Sequence, residues 1–272
     1  VLIQNHRASL NASNGVHMNV GNGNLDIINS TITNNLAAGI LLENWSTVDP
    51  DRVNIGTTTG GVSTLSGNGA YANLHILMNE AGIHSQVNVN NQILSNGVRG
   101  LAARVEGVDG IGTRTTLDID IIDNDEINGN INDGISLQAY NSGLIRAQIG
   151  NSAGNAPLEI LGNARGSGSG IDLIAQGVNG QPQAEIQAVI NNVDINNAVS
   201  RVVRPGLPDL IVPTQGINIA SIGNGLVDVS VSDATIGGPA FGGALDRDTQ
   251  NGIFINLDNN GSDLINQVLV DD

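Results

Sequence analysis

The stretch Asp133-Gly134-Ile135-Ser136-Leu137 is one copy of a phrase that runs the length of the chain. A small or polar residue precedes Gly, an aliphatic residue follows, and a spacer separates it from a second aliphatic. The phrase reads Asn14-Gly15-Val16-His17-Met18, Ala38-Gly39-Ile40-Leu41-Leu42, Arg99-Gly100-Leu101-Ala102-Ala103 and Ser169-Gly170-Ile171-Asp172-Leu173. It returns as Gln215-Gly216-Ile217-Asn218-Ile219 and Asn251-Gly252-Ile253-Phe254-Ile255, with a degenerate copy at Asn68-Gly69-Ala70. A self-similar unit of this length marks a solenoid, a propeller or an array.

Two further short segments recur between copies. One alternates aliphatic and polar residues, as in Leu25-Asp26-Ile27, Val53-Asn54-Ile55, Val87-Asn88-Val89 and Leu117-Asp118-Ile119-Asp120-Ile121. That period of two turns aliphatics inward and polar groups outward on a strand. The other ends on Asn, as in Ile32-Thr33-Asn34, Ile93-Leu94-Ser95-Asn96 and Ile160-Leu161-Gly162-Asn163. Three short strands bounded by Asn and Gly describe one triangular coil. Copies stacked at the strand spacing pair each strand in parallel with the one above. The expected fold is therefore all-β, a right-handed parallel β-helix of about eight coils with three short strands each. The expected domain is a single one over 1–272, with a loop excursion at about 199–214, where Pro205, Pro208 and Pro213 exclude a central strand.

Composition fits this plan. Asn is about one residue in seven and Gly is 36 of 272; both accept the left-handed backbone that tight corners need, and stacked Asn amides form ladders. The aliphatic set does the core packing, because the chain has only one Trp, two Tyr and two Phe. The net charge is −16 and every cation is Arg. Such a surface repels nucleic acid and offers few rings on which bases could stack. There is no Cys, which excludes disulfides and zinc–thiolate sites. No apolar run reaches the roughly 20 residues of a membrane span. Val1-Leu2-Ile3 and Val268-Leu269-Val270 both read as strand interiors, so the sequence is expected to be a piece of a longer repeat protein.

The pattern Asn-x-Ile-x-x-Asn…Gly-Ile-x-Ile, with Ile-Gly loops such as Ile55-Gly56-Thr57 and Ile149-Gly150-Asn151, resembles right-handed parallel β-helix repeats of the pectin-lyase-like superfamily. Within it, the likeness is to repeats of large surface and secreted proteins of environmental bacteria. That resemblance implies an extracellular or cell-surface rod which presents loops and stacks end to end with neighbouring repeats or copies. Polysaccharide or other cell-surface components are its implied ligands. The superfamily also holds lyases, epimerases and hydrolases acting on polysaccharides, so an enzyme is the alternative. The Asn-Thr-Asp, Gly-His-Gly and Arg-x-Lys signatures of its hydrolases are missing, and Asp-Asp occurs only as Asp271-Asp272.

The densest acidic cluster is Asp118, Asp120, Asp123, Asp125 and Glu126. Clustered carboxylates could bind Ca²⁺, which takes six to eight oxygen ligands, or pair for sugar chemistry; a solvated strand edge and polar corner is the simpler account. A lyase would require Asp120 to converge with Arg99 or Arg146 in one outward groove. Asp246, Asp248, Asp258 and Asp263 read as turn chemistry. The histidines His6, His17, His75 and His84 lack metal-ligand spacing, and His17 and His75 are expected to be surface or satisfied residues.

Overall fold

The structure, a computed structural model, describes residues 1–272 apart from 50, 57–61, 91, 109–113, 125, 153, 164–167, 179–182, 197–199, 203–209, 213, 238–248, 259–266 and 271–272. Among the described residues every regular element is a strand. Two large sheets account for nearly all of them, one of 15 strands and one of 8, and all pairing within them is parallel. No helix is long and apolar enough to cross a membrane.

The eight-stranded sheet collects the Gly-aliphatic phrases in chain order: Val16–Asn22, Ile40–Ser46, Leu74–Met78, Leu101–Glu106, Ile135–Tyr140, Ser169–Gly177, Thr214–Gly223 and Thr249–Asp258. The larger sheet consists of two rows. The first holds the alternating segments, among them Leu25–Ile28, Val53–Ile55, His84–Val89, Thr116–Ile122 and Leu144–Gly150. The second holds the Asn-terminated ones, among them Thr31–Thr33, Ser63–Ser66, Gln92–Ser95, Glu126–Asn128 and Leu158–Leu161. The rows fuse at Ala184–Asn196, which pairs with Leu144–Gly150 through its first half and with Leu158–Leu161 through its second. This arrangement is consistent with a parallel β-helix. Beside it, Ser200–Val202 and Leu210–Val212 form a small antiparallel pair within the expected excursion.

Alternation puts one aliphatic set inward along every row. Leu25, Ile55, Leu117 and Ile119 from the first row, Ile32, Leu94 and Ile127 from the second, and Ile40, Leu101 and Ile135 from the eight-stranded sheet belong to one buried cluster.

Asn and Gly divide the corner work differently from expectation. The left-handed residues joining first to second row include Asn5, Asn29, Gly56, Asp123, Asn192 and Asp233, and those leaving the second row include Asn34, Gly67, Asn96 and Gly129. The repeat glycines are not in this group. A Cβ added to Gly134 would lie 2.7 Å from the Gly170 carbonyl oxygen and 2.7 Å from the Ile160 Cγ2. Gly is required there by the approach of the next strand, not by its φ angle.

After the second row runs a buried amide ladder. Asn35 Nδ2 donates to Asn68 Oδ1 (2.8 Å), Asn68 Nδ2 to Asn73 Oδ1 (2.9 Å), Asn73 Nδ2 to Asn130 Oδ1 (3.2 Å), and Asn130 Nδ2 to Asn163 Oδ1 (2.8 Å). The members also cap backbone: Asn130 Nδ2 donates to Leu94 O, and its Oδ1 accepts from Gly97 N. One rung is borrowed. Gly97 stands where an Asn belongs, and the side chain of Asn73 fills that place; a Cβ on Gly97 would meet it at 2.8 Å.

Asn73 also corrects the reading of the degenerate copy. The strand begins at Leu74, in register with Ile40 and Leu101, so Asn73, not Gly69, occupies the glycine position of this coil. Its side chain is accommodated because it leaves the column and enters the ladder.

Candidate functional site

The acidic cluster is divided among two faces and a corner. Asp118 and Asp120 face outward from Thr116–Ile122, in register with Arg146 and Gln148 of the next strand. Asp118 is already engaged: its Oδ2 lies 2.9 Å from His84 Nε2, and its Oδ1 accepts from Arg146 Nη1 at 3.1 Å. Burial, then the charge of Asp118, raises the Asp120 carboxyl above its ordinary range. Asp123 turns the corner with φ 51° and accepts from the backbone N–H of Ser152, its hydroxyl and Asn155. The Ser152 N–H is the first reason its carboxyl is held below the usual range. Glu126 belongs to the second row, opposite Ile93 and Glu159. Asp125 lies outside the described residues, as do Asp246, Asp248 and Asp263 of the second acidic region. Among the described residues no group of three or more His, Asp or Glu side chains is arranged to hold a metal ion.

Asp120 and Arg146 do share an open groove of about 470 Å³, together with Asp118, Gln148, Gln187 and Asp228. Arg99 does not join them; it lines a groove on the other sheet.

The eight-stranded sheet carries a second groove, of about 540 Å³, that sequence reasoning missed. It draws residues from several successive repeats: Tyr71, His75, Arg99, Arg104, Glu106 and Gln138 are in its wall. Register explains the convergence. His75, Ala102 and Ser136 stack in one outward column, and Leu77, Arg104 and Gln138 in another. Tyr71 comes from the irregular segment that ends in Asn73. Its ring is stacked on His75 with centroids 5.3 Å apart and stays 54% exposed. The Arg104 guanidinium sits 4.5 Å above the Tyr140 ring and pairs with Glu106 at 3.0 Å, an arrangement in which ring quadrupole and carboxylate both hold the cation. Arg99 Nε donates to buried Asp133 at 2.9 Å.

His75 is not the satisfied surface residue expected from its strand position. Burial, then Arg99, pushes its pKa down to about 4, so the ring is neutral at physiological pH, and its Nδ1 is buried without a hydrogen-bond partner. His17, by contrast, pairs with Glu43 at 3.0 Å.

Next to Ser136 in the same column, on Ser169–Gly177, stands a buried carboxylate. Asp172 accepts from Asn218 Nδ2 at 2.7 Å and from Ser136 Oγ at 3.3 Å. Burial, then the charge of Asp133, pushes its pKa up to about 6.

Compared with protein-family models, with curated proteins and with solved structures, the chain matches none.

Proposed function

We propose that this chain is a non-enzymatic, adhesive segment of a bacterial cell-surface or secreted protein. In this reading it is a right-handed parallel β-helix of about eight coils, related to the pectin-lyase-like repeats, whose stack further coils or copies continue. Its rigid face holds an acidic polysaccharide in the groove lined by Tyr71, His75 and Arg104.

The observation that carries the reading is the exposed Tyr71 ring, stacked on neutral His75 beside the Arg104 guanidinium in one groove. A ring face offers an apolar surface to the C–H face of a pyranose, while its edges stay wet. A guanidinium matches a carboxylate in geometry and charge. Gln138 and Ser136 add neutral polar groups, which fix orientation in an otherwise mixed cleft. The parallel strands beneath hold His75, Arg104, Ser136 and Gln138 on rigid elements, the condition for a precise site. Calorimetric titration with an oligouronate is the test. Binding that Arg104→Ala weakens by about 10- to 100-fold, the worth of a charged hydrogen bond, supports the reading. Absence of binding to the unaltered chain rejects it.

A second reading, a polysaccharide-active enzyme, is favoured by the shared groove of Asp120 and Arg146. An assay for chain cleavage of acidic polysaccharide decides it. No product from the unaltered chain rejects an enzyme, and turnover unchanged in Asp120→Asn rejects that assignment.

A further inference from the structure

We propose that the buried carboxyl group of Asp172 controls the groove through a directed chain of hydrogen bonds that ends beneath Arg104. This regulation rests on the groove being the binding site. Tyr140 donates its hydroxyl to Gln138 Oε1 at 3.1 Å, Gln138 Nε2 donates to Ser136 Oγ at 3.2 Å, and Ser136 Oγ donates to Asp172 Oδ2 at 3.3 Å. Every donor in the chain points toward the carboxylate. At the far end, the Tyr140 ring supports the Arg104 guanidinium.

The direction of the chain depends on the proton count at Asp172. An ionised carboxylate only accepts; a neutral carboxyl must place one O–H as a donor. Asp172 Oδ1 is taken by Asn218, which can only donate through that nitrogen. The proton therefore enters on the Oδ2 side, and Ser136 Oγ becomes its acceptor. Ser136 then no longer donates to the carboxylate, and its oxygen is shared between the new O–H and the Gln138 amide. A hydroxyl that no longer donates to an anion is a weaker acceptor, so the bond from Gln138 weakens, and with it the hold of Gln138 Oε1 on the Tyr140 hydroxyl. Members of such a chain polarise one another, so a change at one end is felt at the other.

The groups facing Asp172 are few. From Ile135–Tyr140 come Ser136 and Gln138, and from Thr214–Gly223 comes Asn218; Asp133 is the charge that acts on it. Asp133 is in turn paired with Arg99 and accepts from Ser169 N at 2.9 Å. Burial and Asp133 bring the titration of Asp172 to about 6, where modest acidification moves it. In the ionised form Tyr140 is anchored and Arg104 is held over its ring. In the neutral form that anchor weakens and the groove loosens its ligand.

The test is a pH titration followed by NMR on the full chain, without ligand, paired with oligouronate binding at pH 7.5 and pH 5. The carboxyl carbon of Asp172, the Gln138 side-chain amide and the Tyr140 ring are expected to shift together, with one midpoint near 6. Binding should weaken by about three- to tenfold at the lower pH, the worth of one net hydrogen bond. Asp172→Asn should abolish both effects. Tyr140→Phe, which keeps the ring, should abolish the pH step in binding while the Asp172 carbon still titrates. Gln138 and Tyr140 resonances that ignore the Asp172 midpoint overturn the proposal, as does binding with the same pH step in Tyr140→Phe. Should the oligouronate fail to bind at any pH, the groove reading falls, and the ligand-free resonances still decide whether the relay exists.

Discussion

The amide ladder and the groove of the eight-stranded sheet lie a few residues apart and are built on opposite logic. The ladder repeats: Asn35, Asn68, Asn130 and Asn163 do the same thing in different coils. The groove does not repeat: His75, Ala102 and Ser136 share a column and no chemistry. Asn73 belongs to both. It departs from the glycine of the phrase, repairs the ladder where Gly97 left a gap, and ends the irregular segment that brings Tyr71 to the rim of the groove. Repetition encodes the stack, and departures from repetition encode the site.

That contrast can be broken most severely at the ladder. Asn130→Ala strands the Gly97 N–H in a buried position and takes a hydrogen bond from the Leu94 carbonyl and from the amides of Asn73 and Asn163. Unmade hydrogen bonds of this kind cost about 3–5 kcal/mol together, which urea denaturation would register. A loss under about 1 kcal/mol would remove the ladder from the account.

Asp172 should produce the next largest effect. Its folded-state pKa of about 6 lies above the ordinary 3.8, so the native state retains a proton that the unfolded chain has released. The contribution to stability is present below pH 4 and is lost as pH rises to about 6. Asp172→Asn should flatten that slope and raise stability at pH 7.5 by about 1–3 kcal/mol. Melts at several pH values would show it, and an unchanged slope would contradict the origin given for the shift.

Tyr71→Ala sharpens the comparison from the other side. The ring is exposed, so stability should change by no more than about 0.5 kcal/mol, while oligouronate affinity falls about tenfold. A variant that melts early would make Tyr71 part of the scaffold. The smallest response is expected from metal. Millimolar Ca²⁺ added after EDTA should leave the melting temperature where it was, since Asp118 and Asp123 already have protein partners. A large rise would direct attention back to Asp118–Glu126.

The sequence announced the parallel pairing because its period is written in every repeat. The inward positions of Leu117, Ile119 and Ile121 and the corner amides were legible for that reason. The register of the degenerate coil was not, because Asn68-Gly69 imitates the phrase while Asn73 has its place. Asp118 and Asp120 were visible as neighbours in the chain, yet Asp118 is committed to His84 and Arg146 from other coils. The groove stayed hidden for the converse reason: Tyr71, Arg104 and Tyr140 are remote in sequence, and a low count of aromatics says nothing of where they meet. One signal was present. Aligning the phrases on Asn73, Gly100 and Gly134 places His75 above Ala102 and Ser136, and Leu77 above Arg104 and Gln138.

The register of that irregular coil is the claim on which ladder, groove and relay depend, and a double-mutant cycle on Asn73 and Gly97 tests it most directly. Asn73→Gly restores the phrase and empties a rung, and Gly97→Asn alone collides with the side chain already there. Together they rebuild the regular ladder. The double variant should be more stable than the sum of the single losses implies, by at least about 2 kcal/mol in urea denaturation. Losses that simply add would contradict it, because two residues that compete for one rung cannot act independently.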